Sequence, residues 1–109
     1  MKRLFILACI LFCSCISVAA QTVKFVQVTD VHLTNNNAVY LKNFVKNIND
    51  KYQELDFVVF TGDNIDKAKV QNLELFLDIV KQLKFKTYIL VGNHDLYDNQ
   101  GMTGEFYMH

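Results

Sequence analysis

The chain has 109 residues, with 11 Lys and Arg against 11 Asp and Glu, three Cys, four Gly, and neither Pro nor Trp. That length holds one domain at most, and 51% hydrophobic with 20% charged residues excludes a disordered or fibrous chain. Zero formal net charge at pH 7 removes the long-range pull that draws proteins to polyanions, so no nucleic-acid partner is indicated.

The first element is a leader. Met1-Lys2-Arg3 is basic, Leu4 to Val18 is apolar except for Ser14 and Ser17, and Val18-Ala19-Ala20 supplies small residues before Gln21. A basic head, a short apolar run and a small-residue cleavage site are the layout of a secretory signal peptide. The apolar run of 15 residues is shorter than the roughly 20 that cross a bilayer as a helix. Residues 1–20 are therefore expected to be a signal peptide that sends the product to the periplasm or out of the cell, with no stable membrane span once cleaved. Retention as an N-terminal anchor and lipidation at Cys15 are the alternatives. All three cysteines (Cys9, Cys13 and Cys15) fall in this leader, so residues 21–109 hold no thiol for a disulfide, a nucleophile or a metal.

The remaining 89 residues alternate between two periodicities. Val23 to Thr29 is β-branched and aromatic and predicts a strand; Asp30 to Asn37 is a polar loop. From Ala38, the spacing of Leu41, Phe44, Val45, Ile48 and Tyr52 predicts an amphipathic helix. Phe57-Val58-Val59-Phe60 predicts a second strand and Thr61-Gly62-Asp63-Asn64 a turn. A second helix is predicted with Val70, Leu73, Phe76, Leu77, Val80 and Leu83 on one face, and Lys67, Lys69, Glu74, Asp78 and Lys81 on the others as a solvated surface. Tyr88 to Val91 predicts a third strand, closed by Gly92-Asn93; Asp98 to His109 shows no clear period.

The expected fold is α/β, a parallel βαβαβ unit with right-handed crossovers. Continuous apolar strands imply burial on both faces of the sheet. Strands laid down in one direction, however, put both helices on the same side and leave the other face bare. The chain is therefore expected to be the N-terminal half of a longer protein, or to need a partner chain over the open face.

Three polar clusters follow the three strands: Asp30-Val31-His32, Gly62-Asp63-Asn64-Ile65-Asp66 and Gly92-Asn93-His94-Asp95. The carboxyl ends of parallel strands share one edge, where ligands of open α/β sheets bind. Each cluster alone suits an ordinary turn, a helix cap or a surface histidine. Their coincidence is what points to a site. Asp30, Asp63, Asp66 and Asp95 crowded along one edge would repel one another unless a cation neutralised them. Carboxylate, amide and imidazole donors together suit divalent ions such as Mn, Fe or Zn.

Taken together, the three clusters resemble the first three signature blocks of the calcineurin-like metallophosphoesterases, which read D-x-H, G-D-x-x-D and G-N-H-D/E. They match at every fixed position, in order, over Val23 to Asp95. The resemblance implies one half of a two-sheet sandwich and two divalent metal ions, with a phosphoester as substrate. It implies that Asp30 and His32 bind the first ion, that Asp63 bridges both, and that Asn93 binds the second. It further implies that His94 assists the leaving group as a general acid, that Asp95 hydrogen-bonds His94, and that Asp66 braces its loop. The ions would lower the pKa of a bridging water and neutralise phosphoryl charge. Two later histidine blocks of the family have no counterpart here: after His94 the only histidine is His109, which is not assigned as a ligand. The expected function is metal-dependent phosphoester hydrolysis, with these 109 residues inactive on their own. The alternatives are a non-catalytic secreted α/β module that binds metal or a partner chain, and an unrelated α/β binding domain whose loops coincide with the motifs.

Overall fold

The computed structural model describes residues 20–96. The leader up to Ala19 and the tail from Tyr97, including His109, lie outside the described residues.

Three strands form one parallel sheet in the order β1 (Phe25–Val28), β2 (Phe57–Phe60), β3 (Thr87–Ile89). Two helices connect them, α1 (Ala38–Lys51) and α2 (Val70–Val80), and a short turn of helix, α3 (Asn93–Leu96), follows β3. This is the expected βαβαβ arrangement. The strand ends differ from the apolar runs because a strand extends only as far as it has a partner. Phe25 to Val28 pair one to one with Phe57 to Phe60, so β1 is shorter than the run from Val23 to Thr29. Thr87 pairs with Val58 and Ile89 with Phe60, so β3 starts a residue early and ends before Leu90. Beyond Phe60, Gly62 at φ 115° turns the chain out of the ladder.

Pleating sorts the strand residues between two environments. Val58 and Phe60 face the helices and are fully buried. Leu41, Val45 and Ile48 of α1 and Leu73, Phe76, Ile79 and Val80 of α2 close over them in one core, with Phe44 and Tyr52 packed at its margin. Phe76 meets Phe60 edge to face, ring centroids 5.2 Å apart, which locks α2 onto the central strand. The buried arc of α2 is centred on Phe76 and Val80, so Ile79 is inside while Leu77 and Val70 are exposed. Leu83 is buried in the turn after the helix.

Both helices lie on the same side of the sheet. On the other face Phe25 stacks on Phe57 (5.0 Å) and Phe57 meets Tyr88 edge to face (5.5 Å). Phe25, Tyr88 and Leu90 remain 52%, 44% and 54% exposed, so among the described residues this face is the bare one. Among the described residues no helix is long and apolar enough to cross a membrane.

Candidate metal centre

The loops after β1 and β2 run side by side past the ends of the strands. Asp30 N–H donates to Gly62 O (3.2 Å), His32 N–H to Asp63 O (3.0 Å), Leu33 N–H to Asn64 O (3.0 Å), and Asp66 N–H back to Leu33 O (3.2 Å). Leu33 and Ile65, paired in an isolated parallel bridge, are both fully buried and anchor the two loops in the core. Between strand and anchor the backbone kinks. Asp30 (φ 53°), His32 (φ 46°) and Asp63 (φ 53°) all sit in the left-handed region. Few residues adopt it, Asp and His more readily than most.

These kinks bring side chains together. Ligand atoms of Asp30, His32 and Asp63 lie within 4.8 Å of one another, and so do those of His32, Asp66 and His94. His32 Nε2 is 3.7 Å from Asp30 Oδ1, and the His32 and His94 rings meet edge to face with centroids 4.7 Å apart. The His32 ring and the Asp30 carboxylate are open to solvent, so an ion or substrate could reach them. Asn37 steadies the first loop: its Oδ1 accepts from Thr34 N–H (2.7 Å) and its Nδ2 donates to His32 O (3.0 Å).

The third loop docks on the second. His94 N–H donates to Asp63 Oδ1 (3.0 Å), and His94 Nδ1 is 3.1 Å from Asp66 O. A carbonyl oxygen only accepts, so this hydrogen bond puts the proton on Nδ1 and leaves Nε2 for other chemistry. Asn93 opens α3, between Gly92 and His94, at the same edge. A Cβ at Gly92 would run into the Asp63 carboxylate and main-chain nitrogen, so only glycine allows this approach.

One assignment changes. Asp95 was expected to hydrogen-bond His94, but its carboxylate is fully buried and accepts instead from Ile65 N–H (2.9 Å), Gly92 N–H (2.8 Å) and Asn64 Nδ2 (3.0 Å). The side chain at this position of a helical turn points back into the turn, away from the ring of its neighbour. Asp66, expected to brace its loop more than to touch a metal, donates its N–H to Leu33 O (3.2 Å), and one of its carboxylate oxygens also lies within 4.8 Å of donor atoms of His32 and His94. Asn64, fully buried, carried no assignment, and only its place inside the second cluster could have singled it out. A groove of about 650 Å³ lined by residues such as Lys24, Lys51, Tyr52 and Glu54 lies at the opposite end of β1, away from these side chains.

The donor set of Asp30, His32 and Asp63 fits a divalent ion: two carboxylates and an imidazole, in mutual reach on an open edge. Comparison with known proteins is consistent with this chemistry. The sequence model of the family described as "Calcineurin-like phosphoesterase" matches residues 23–108. A probable glycerophosphodiester phosphodiesterase of Arcobacter nitrofigilis is 32% identical, over 68% of this chain and 30% of the relative. A probable cyclic nucleotide phosphodiesterase of Coxiella burnetii is 27% identical, over 67% of this chain and 32% of the relative. The chain thus spans about a third of the length of the curated relatives it matches.

Proposed function

Because this chain belongs to the calcineurin-like phosphoesterase family, we propose that it is part of a hydrolase that cleaves phosphoester bonds at a centre of two divalent ions. The observation that carries the proposal is the convergence of Asp30, His32 and Asp63 on three left-handed turns beside His94. Asp30, His32 and Asp63 would hold one ion, and Asn93 would contribute to the second. Asp66, within reach of His32 and His94, is a further donor on that side. Bound there, the ions supply Lewis-acid polarisation of the phosphoryl group and an activated water.

The protein's own groups orient and protonate. The Asp63 carboxylate, held by His94 N–H, keeps the second and third loops in register. His94 keeps Nδ1–H on Asp66 O; as the imidazolium, protonated on both nitrogens, it would give the Nε2 proton to the departing alkoxide and be left as the neutral Nδ1–H ring. The names of both relatives support a phosphodiester as the substrate class. The composition of residues 1–20 supports export to the periplasm or beyond, and the bare face of Phe25, Phe57 and Tyr88 supports a covering layer from further polypeptide or a partner chain.

The test is calorimetric titration of the full chain with Mn²⁺. Asp63→Asn, which alters a direct donor, is expected to weaken binding by more than the roughly 10–100-fold typical of losing a ligand's hydrogen-bond partner. Unaltered affinity in that variant contradicts the metal site. With the later histidine blocks absent, these 109 residues are expected to turn over bis-p-nitrophenyl phosphate feebly at best, and brisk Mn²⁺-dependent hydrolysis would refute that inactivity.

A further inference from the structure

The carboxylate of Asp95 is occupied by the backbone of two loops. We propose that Asp95 is a positioning residue for Asp63: together with Asn64 it forms a buried brace that clamps the loop after β2 to the loop after β3 and so fixes the Asp63 carboxylate. The inference rests on the metal-site reading above.

Full burial is uncommon for an aspartate and calls for compensating partners. Asp95 has three. Its Oδ1 takes Ile65 N–H, two residues past Asp63, and its Oδ2 takes Gly92 N–H and Asn64 Nδ2. Asn64 Nδ2 also donates to Leu90 O (2.8 Å), at the end of β3. Two acceptors at the amide nitrogen fix which way the Asn64 amide faces, and its Oδ1 is left buried without a partner among the described residues. An orphaned oxygen opposes folding. The two bonds that Nδ2 makes to the third loop offset that cost.

The same atoms form a divided helix cap. With Gly92 as N-cap of α3, Asp95 is the third helical residue, and its bond to Gly92 N–H is one half of a capping box. A helix cap also needs a side-chain acceptor, which glycine lacks, for the N–H of the second or third helical residue. Asp63 supplies it from the neighbouring loop by accepting His94 N–H, in the space that a Cβ on Gly92 would fill. Asp63 therefore faces its fellow donors Asp30 and His32 while serving as the borrowed cap of α3. Asp95 keeps that cap in register by tying the first turn of α3 to Ile65 N–H. It belongs to neither cluster of converging donor atoms, so it acts on them only through Asp63 and the backbone.

The experiment uses the full chain, ¹⁵N-labelled, with two readouts: Mn²⁺ affinity of the folded protein and the amide-proton shift of His94 without metal. Asp95→Asn preserves size but turns one acceptor into an NH₂ group facing donors. It is expected to weaken Mn²⁺ binding by roughly 10–100-fold and to move the His94 amide proton upfield as its bond to Asp63 loosens. A folded Asp95→Asn protein with a lowered unfolding midpoint but unchanged affinity and shift would overturn the proposal, leaving Asp95 merely structural. If Asp95→Asn does not fold, Asn64→Ala, which removes one of the three donors, carries the same readouts with a several-fold loss expected and an unchanged result fatal. Asp63→Asn separates the two readings. Without an effect of that change on Mn²⁺ binding the metal site itself fails; with an effect there and none from Asp95→Asn, the brace alone fails.

Discussion

At the scale of single residues, the site is built from backbone strain held in place by main-chain bonds. A left-handed conformation costs an L-residue roughly 1–2 kcal/mol, and Asp30, His32 and Asp63 all adopt it. The cross-loop bonds of His32, Leu33 and Asp66, with the buried pair Leu33 and Ile65, hold these turns against relaxation. Strain that serves ligand placement leads to opposite effects on stability and binding. Asp30, whose side chain is 60% exposed, gives up little packing when shortened. Asp30→Gly relieves that left-handed cost of roughly 1–2 kcal/mol and gives back roughly 0.5–1 kcal/mol through glycine's extra backbone entropy, so it is expected to raise stability slightly while weakening Mn²⁺ binding. Urea unfolding and calorimetry on the same samples check both directions; a loss of stability would mean that the turn is unstrained.

At the scale of elements, α1 and α2 both pack by an apolar face, and α1 has a polar strap besides. α2 is fastened by its apolar face, above all by Phe76 against Phe60. Phe76→Ala is expected to cost about 3–5 kcal/mol, read as a fall in the urea midpoint, and a loss below 1 kcal/mol or so would show that the core refills the space. α1 is strapped to the turn after α2 by Asn49, which donates to Gln82 O (2.8 Å) and accepts from Lys84 N–H (2.9 Å). The exposed face of α1 carries Lys46 and Asp50, 2.7 Å apart. The hydrogen bond from Lys46, and then its charge, holds the Asp50 carboxyl below its usual range. A lowered acid contributes stability above its unfolded pKa and loses it as pH falls through the folded value. Any advantage of wild type over Asp50→Asn should thus be present at pH 7 and fade below about pH 4. Both groups are fully solvated, so the advantage is small and salt removes it. A gap that persists in acid would rule out the pair as its source.

At the scale of the whole molecule, the sheet has one face covered among the described residues. The helices shield Val58 and Phe60, whereas Phe25, Phe57, Tyr88 and Leu90 form an apolar surface with aromatic rings in contact. Surfaces of this kind attract other apolar surfaces. The chain on its own is expected to self-associate, and Phe25→Ser combined with Tyr88→Ser to shift its sizing profile toward monomer. A sharp monomer peak from the unmodified chain would contradict this.

Much of this architecture is legible in the residue order, because it depends on local periodicity. Helical spacing in Leu41, Val45 and Ile48, and short apolar runs at Phe57 to Phe60, define elements whose connections force parallel pairing and one shared carboxyl edge. That edge is where residue order leads one to expect Asp30, Asp63 and Asn93 before any distance is known. Residue order alone could not say where each strand stops, that Ile79 rather than Leu77 turns inward, that Asp66 reaches His32, or that Asp95 serves the backbone of Ile65 and Gly92 instead of the ring of His94. Those outcomes hang on which groups, some thirty residues apart in the chain, end up facing one another. A buried carboxylate bonds the donors that folding places beside it, and only the packed loops decide which those are.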